Sequence, residues 1–138
     1  MAVIRVAVAG AAGRMGREVV RAVSGASDMR LVAAVDTKEA GDAGTVAGIA
    51  PNGVMISTDL ASTLKNVDVD VLVDFTVARA ALENVTTAIA NNVKFVVGTS
   101  GMGSEAVGEL LRKAETGKVG GAVVPNFALG AVLMMRFA

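Results

Sequence analysis

The chain contains no cysteine and no histidine, and aromatic residues make up only 3% of its 138 positions. Without cysteine there are no disulfides, thiolate metal sites or cysteine nucleophiles, and the plain expectation for compartment is the cytoplasm. The absence of histidine weighs more, because histidine is the commonest general acid or base and the commonest metal ligand. Chemistry involving this chain must therefore draw its proton-transfer groups from elsewhere, and no metal site is expected. An excess of charge of either sign is missing too, since 13 basic and 13 acidic side chains cancel. That balance removes the broad positive field that nucleic acid or an anionic membrane requires, and leaves a small molecule as the expected partner. The first apolar stretch, Met1 to Ala9, runs into glycines too soon for a signal peptide, so no targeting segment is expected. Toward the other end, Pro125 and Asn126 interrupt an apolar stretch already too short to cross a bilayer.

Apolar residues nevertheless make up 53% of the chain. With so few aromatics the core must be built from Val, Ala, Leu, Ile and Met, the mixture used by sheets buried on both faces. The length suits one domain that buries roughly two thirds of the surface exposed by the unfolded chain. Strand-length apolar runs occur at Val3 to Ala9, Leu31 to Val35, Val54 to Ile56, Val71 to Phe75, Phe95 to Val97 and Val119 to Val124. Helical spacing fills the gaps at Arg14 to Val23, Leu60 to Lys65, Ala78 to Asn91 and Ser104 to Glu115. Alternation of this kind predicts consecutive βαβ units: an α/β fold of the Rossmann type, with a doubly wound parallel sheet in a single domain. Thr58 and Asp59 offer acceptors ahead of Leu60, and Ser104 is the expected N-cap of the last helix. Thr37 to Gly53, with four glycines and a proline, reads as a mobile loop with one short turn of helix. From Ala128 an apolar helical run proceeds to Ala138 without a cap, which reads as one domain over residues 1–138 that is cut within its last element.

The strongest local signal is Val6 to Gly16, a strand that empties into a loop with Gly10, Gly13 and Gly16 and then opens a helix. In this pattern Gly10 permits a tight turn, Gly13 lets backbone N–H groups approach a pyrophosphate, and Gly16 lets the helix pack closely. The unpaired amides and positive dipole end of that helix favour an anion. Asp36 follows at the end of the second strand, 20 residues beyond Gly16, where a carboxylate accepts both hydroxyls of an adenosine ribose. Asp36 repels a 2′-phosphate and so favours NADH, whereas Lys38 and Arg14 are placed to neutralise one. Both NADH and NADPH stay open on the residues alone.

Later strands end in small or polar residues: Asp74, Phe75 and Thr76, then Gly98, Thr99, Ser100 and Gly101, then Pro125, Asn126 and Phe127. In an open α/β sheet these ends share one edge, where ligands bind near the switch point, although each segment alone also reads as ordinary turn chemistry. The methionines other than Met15 read as core filler, and Glu105, Glu109, Arg112, Lys113 and Glu115 as a solvated helix face.

Taken together, Gly-Ala-Ala-Gly-Arg-Met-Gly at 10 to 16, Val-Asp-Phe-Thr at 73 to 76, Val-Gly-Thr-Ser-Gly at 97 to 101 and Pro-Asn-Phe at 125 to 127 resemble the 4-hydroxy-tetrahydrodipicolinate reductase family, formerly dihydrodipicolinate reductase. The resemblance covers essentially the whole chain. It implies NADH or NADPH held by Gly10, Ala11, Ala12, Gly13, Arg14, Met15 and Asp36, with Phe75 and Thr76 in the same crevice. It further implies that Gly98, Thr99 and Ser100 lie near the nicotinamide and that Val124, Pro125, Asn126 and Phe127 close that pocket. Ser100 stands where the family usually has threonine, and Ala78 where a proline is common; the first keeps a hydroxyl and the second should be tolerated. The family's substrate half, with a histidine pair, a lysine and a Ser-Gly-Thr segment, does not follow Ala138. That implies exposed apolar surface around Val132 to Phe137, and cofactor binding with little or no turnover by this chain alone. For the full-length enzyme it implies hydride transfer to a small cyclic dicarboxylate on the route to diaminopimelate and lysine, by a tetramer assembled through the substrate half. Two other readings stay open on the residues: the cofactor domain of another two-domain dehydrogenase, and a stand-alone dinucleotide-binding regulatory module.

Overall fold

The structure is a computed structural model that describes residues 2–38, 40–99 and 101–124. Six parallel strands form one sheet: β1 (Ile4–Ala9), β2 (Met29–Val35), β3 (Ile56–Ser57), β4 (Val71–Asp74), β5 (Lys94–Val97) and β6 (Gly121–Val123). Between them run α1 (Arg14–Ser24), α2 (Ala43–Val46), α3 (Leu60–Asn66), α4 (Ala78–Ala90) and α5 (Ser104–Gly117). The spatial order is β3-β2-β1-β4-β5-β6, so the direction of winding reverses between β1 and β4. This is the doubly wound order whose switch point lies beyond the carboxyl ends of β1 and β4.

The unbroken apolar runs of the central strands follow from burial on both faces. In β1, Val6 and Val8 pack with Val19, Val20 and Val23 of α1, while Ala7 and Ala9 face Leu60, Leu64 and Ala88 on the other side. In β4, Val71 and Val73 take the α1 side and Leu72 the opposite one. Phe95 and Val97 of β5 meet Ala81, Val85 and Leu110 from α4 and α5. Full burial of a valine or leucine side chain stabilises by roughly 1.5–3 kcal/mol, so these layers supply the main driving force without large aromatics.

The four helices expected between Arg14 and Glu115 all form. Asp59 caps α3 by accepting the Ser62 N–H at 3.0 Å. One expectation is corrected: Ser104 is the first helical residue of α5, and the N-cap is Gly103, whose extended backbone provides no side-chain cap. A glycine at this position leaves the first amides of α5 to solvent rather than to a hydroxyl. The terminal helical run from Ala128 and the apolar surface expected around Val132 to Phe137 lie outside the described residues.

The glycine-rich stretch after β2 carries the single turn α2, and one carboxylate organises it. Asp42 Oδ1 accepts the N–H groups of Thr45 at 3.0 Å and Asn52 at 3.2 Å, and Oδ2 accepts that of Gly53 at 2.8 Å. A bridge between Asp42 and Met55 closes the same loop. The Thr45 amide, more than the others, holds the Asp42 carboxyl below the ordinary carboxylate range. A depressed folded-state value gives stability that is present above the unfolded value of about 3.9 and is lost as pH falls through the folded value. Asp42→Asn is therefore expected to melt below the wild type at pH 7, with the gap closing as the pH is taken to about 3. Thermal unfolding across that range checks this, and a gap that stays constant on acidification refutes it.

Candidate functional site

The site starts from the turn after β1. Gly10 has φ +81°, a conformation that L side chains rarely adopt, and its N–H donates to the Val35 carbonyl at 2.8 Å. A Cβ on Gly10 would also sit 3.0 Å from the Phe75 carbonyl carbon and oxygen, so the turn lies directly against the end of β4. Gly13 donates to the Gly10 carbonyl at 3.0 Å and serves as N-cap of α1 without any side-chain cap. The first amides of α1 are thus available at the mouth of the turn, which is the arrangement that receives a phosphate. Gly16 packs against the turn itself: a Cβ there would overlap the Gly10 carbonyl oxygen.

Asp36 reaches this turn from the end of β2. Its Oδ2 accepts the Ala12 N–H at 2.8 Å, and its Oδ1 accepts the Thr37 N–H at 2.6 Å. From β4, Phe75 donates its N–H to the Ala9 carbonyl at 3.0 Å, which brings Phe75 and Thr76 beside the turn. The Phe75 ring lies over Gly98, where a Cβ would overlap ring atoms. Thr99 is buried and donates its hydroxyl to the Thr76 carbonyl at 2.8 Å.

These approaches enclose a cleft of about 530 Å³. Of the residues expected at a binding site, Gly10, Ala12, Gly13, Asp36, Phe75 and Thr76 line it. Ala11 is buried and turns its methyl into the core below, and Met15 packs against that same core. Arg14 and Lys38 are exposed, and neither they nor Gly98, Thr99 and Val124 line the cleft. Val124 is tied to β5 through its N–H on the Val97 carbonyl at 2.7 Å. Ser100, Pro125, Asn126 and Phe127 lie outside the described residues.

The cleft also has walls that sequence reasoning missed: Thr37, Thr58, Leu60, Val77, Ala80 and Asn84. Val77 is 71% exposed, an unusual state for valine at the start of α4, and here it forms part of the cleft mouth. Asn84 sits two helical turns into α4, where only the packing of α4 on β4 shows which face it occupies. Among the described residues no cluster of acidic side chains is arranged to hold a metal ion, and no helix is long and apolar enough to cross a membrane.

A parallel sheet in this order, with a glycine turn and an uncapped helix start at its switch point, defines a Rossmann-type dinucleotide-binding domain. Comparison with known proteins narrows the class. Residues 4–127 match the family described as dihydrodipicolinate reductase, N-terminus, and the chain belongs to that family. It is 48% identical to the 4-hydroxy-tetrahydrodipicolinate reductase of Moorella thermoacetica over all of this chain and 52% of that protein. It superposes with a TM-score of 0.74, at 37% identity, on the dipicolinate-bound dihydrodipicolinate reductase of Paenisporosarcina sp. TG-14, covering 98% of this chain and 52% of that one. GenD2 of gentamicin A biosynthesis, solved in complex with NAD, shares the fold at TM-score 0.73 and 22% identity over 90% of this chain and 35% of its own. The chain thus spans about half the length of the curated relatives it matches.

Proposed function

We propose that the cleft binds a nicotinamide dinucleotide, NADH or NADPH, and that the chain supplies the cofactor-binding part of a 4-hydroxy-tetrahydrodipicolinate reductase. The observation that carries this reading is convergence. The glycine turn, the uncapped start of α1, Asp36 from β2 and Phe75 and Thr76 from β4 all meet on one cleft at the switch point. The residues present fit the group. The uncapped start of α1 offers its first amides for a pyrophosphate beside a turn of small residues, and Asp36 stands at the distance along the fold where a ribose diol is received. In this reading Gly10, Ala11, Ala12, Gly13, Arg14 and Met15 surround the pyrophosphate, with Lys38 beside the ribose. Gly98, Thr99 and Ser100 back the nicotinamide end, and Val124, Pro125, Asn126 and Phe127 close it.

The cofactor, when bound, supplies the hydride; the chain's own residues bind it, orient it and keep water from one of its faces. In the full-length enzyme the acceptor is a small cyclic dicarboxylate on the diaminopimelate and lysine route, reduced within a homo-oligomer. This chain has no histidine to serve as proton donor to the substrate. Calorimetric titration of the chain with NADH and NADPH tests the reading. Saturable binding at micromolar to millimolar nucleotide, with no turnover of the dicarboxylate, is expected. A folded chain that binds neither nucleotide would rule the reading out.

A further inference from the structure

Asp74, the last residue of β4, is completely buried, and it belongs to none of the ion pairs formed among the described residues. A buried carboxylate without a cation is costly unless donors satisfy it, and here they do so from two directions. Oδ1 accepts the Thr76 N–H at 2.8 Å and the Thr76 hydroxyl at 2.6 Å. Oδ2 accepts the Asn84 side-chain amide N–H at 2.8 Å. The Thr99 hydroxyl lies 3.4 Å from Oδ1, but its single proton goes to the Thr76 carbonyl at 2.8 Å. One acidic side chain therefore ties the end of β4 to the middle of α4, and the residues it ties, Thr76 and Asn84, both line the cleft.

A carboxylate can only accept. Asn84 must turn its NH2 group inward to meet it, which leaves the carbonyl Oδ1 of this cleft-lining residue unpaired among the described residues. We propose that Asp74 is a positioning residue for the cofactor cleft: it fixes Thr76 and sets the polarity of the Asn84 amide, so that α4 presents an acceptor to a hydroxyl or amine of the bound nucleotide. This rests on the reading of the cleft as the dinucleotide site.

The discriminating variants are Asp74→Asn and the exchange of Asp74→Asn with Asn84→Asp, each titrated with NADH beside the wild type and each melted in parallel. Asn at 74 keeps the size and still accepts from Thr76, but its NH2 faces the NH2 of Asn84. Relief comes when the Asn84 amide flips, which brings its oxygen inward and puts a donor on the cleft. The chain is expected to fold with its NADH Kd raised about tenfold, the scale of one mismatched hydrogen bond. In the exchange, the new carboxylate at 84 accepts from the amide at 74 with one oxygen and offers the other to the cleft. Binding is expected to return to within about threefold of wild type.

Unchanged binding in Asp74→Asn overturns the proposal, and so does an exchange variant that binds no better than the single one or does not fold. Should Asp74→Asn alone fail to fold, recovery or loss of binding in the exchange decides the matter. A folded wild-type chain that does not bind NADH takes down the cofactor reading and this proposal together, whereas loss of the proposal alone leaves wild-type binding intact.

Discussion

Gly16→Ala is expected to destabilise the chain by about 1–3 kcal/mol or more and to abolish detectable nucleotide binding. Helix propensity alone predicts the reverse, since alanine in a helix is favoured over glycine by about 1 kcal/mol. The packing decides otherwise. A Cβ at Gly16 would overlap the Gly10 carbonyl oxygen and would lie 2.6 Å from the Gly10 carbonyl carbon and 2.9 Å from the Ala11 Cα. All three are backbone atoms, so no side chain can swing aside. Either α1 lifts from the end of β1, opening the interface of Val19, Val20 and Val23 with Val6 and Val8, or the turn is pushed into the cleft. Overpacking of this kind costs about 1–3 kcal/mol or more, a large share of the 5–15 kcal/mol typical of a domain. Gly13→Ala is the matched control. Its Cβ would meet only the Gly10 oxygen at 3.4 Å, ordinary contact, and its backbone is extended at φ −77°. That variant should melt close to the wild type and still bind nucleotide poorly, because the added methyl occupies the surface that a pyrophosphate approaches. Thermal unfolding and titration of the pair separate the two roles. A Gly16→Ala chain as stable as wild type would show that the helix can shift without penalty.

The three glycines illustrate what was legible in the sequence and what was not. Their spacing after an apolar strand located the turn, but it could not show that Gly16 packs on the turn's own backbone while a Cβ on Gly13 would make only an ordinary contact. The strands and helices were legible because two-sided burial writes continuous apolar runs and α1, α4 and α5 carry a clear 3.6-residue pattern. Boundaries moved where pairing, not composition, sets them. The second strand begins at Met29 because Met29 and Arg30 pair with Ile4 and Arg5, and the third is only Ile56–Ser57 because its partner is the end of β2. The Asp42 loop left no periodic trace, since its order comes from one carboxylate meeting amides up to 11 residues away. Asp74 and Asn84 were equally hidden. The first stood inside a quoted motif and the second inside a helix, and only the burial of one and the orientation of the other bring them together.

Asp36→Ala is expected to weaken NADH binding by about 10- to 100-fold and NADPH binding by distinctly less, so that the ratio of the two affinities moves toward NADPH. The carboxylate accepts the Ala12 N–H through one oxygen and the Thr37 N–H through the other, which orients both oxygens at the rim of the cleft with lone pairs to spare. A ribose diol that uses those lone pairs makes hydrogen bonds to a charged acceptor, worth about 1.5–3 kcal/mol in mutational series, and this sets the expected loss. A 2′-phosphate meets the same carboxylate as a like charge, so NADPH gives up less when it is removed and gains from the exposed cations Arg14 and Lys38. The same substitution also frees the Ala12 amide, which loosens the turn for either nucleotide. Asp36→Asn isolates that effect, because its amide oxygen can still accept from Ala12 while the charge is gone. If the residue reads the ribose, Asp36→Asn shifts the NADH to NADPH ratio with the turn intact. If both variants weaken the two nucleotides equally, Asp36 acts only by holding Ala12 in place, and discrimination between the cofactors resides in Arg14 and Lys38.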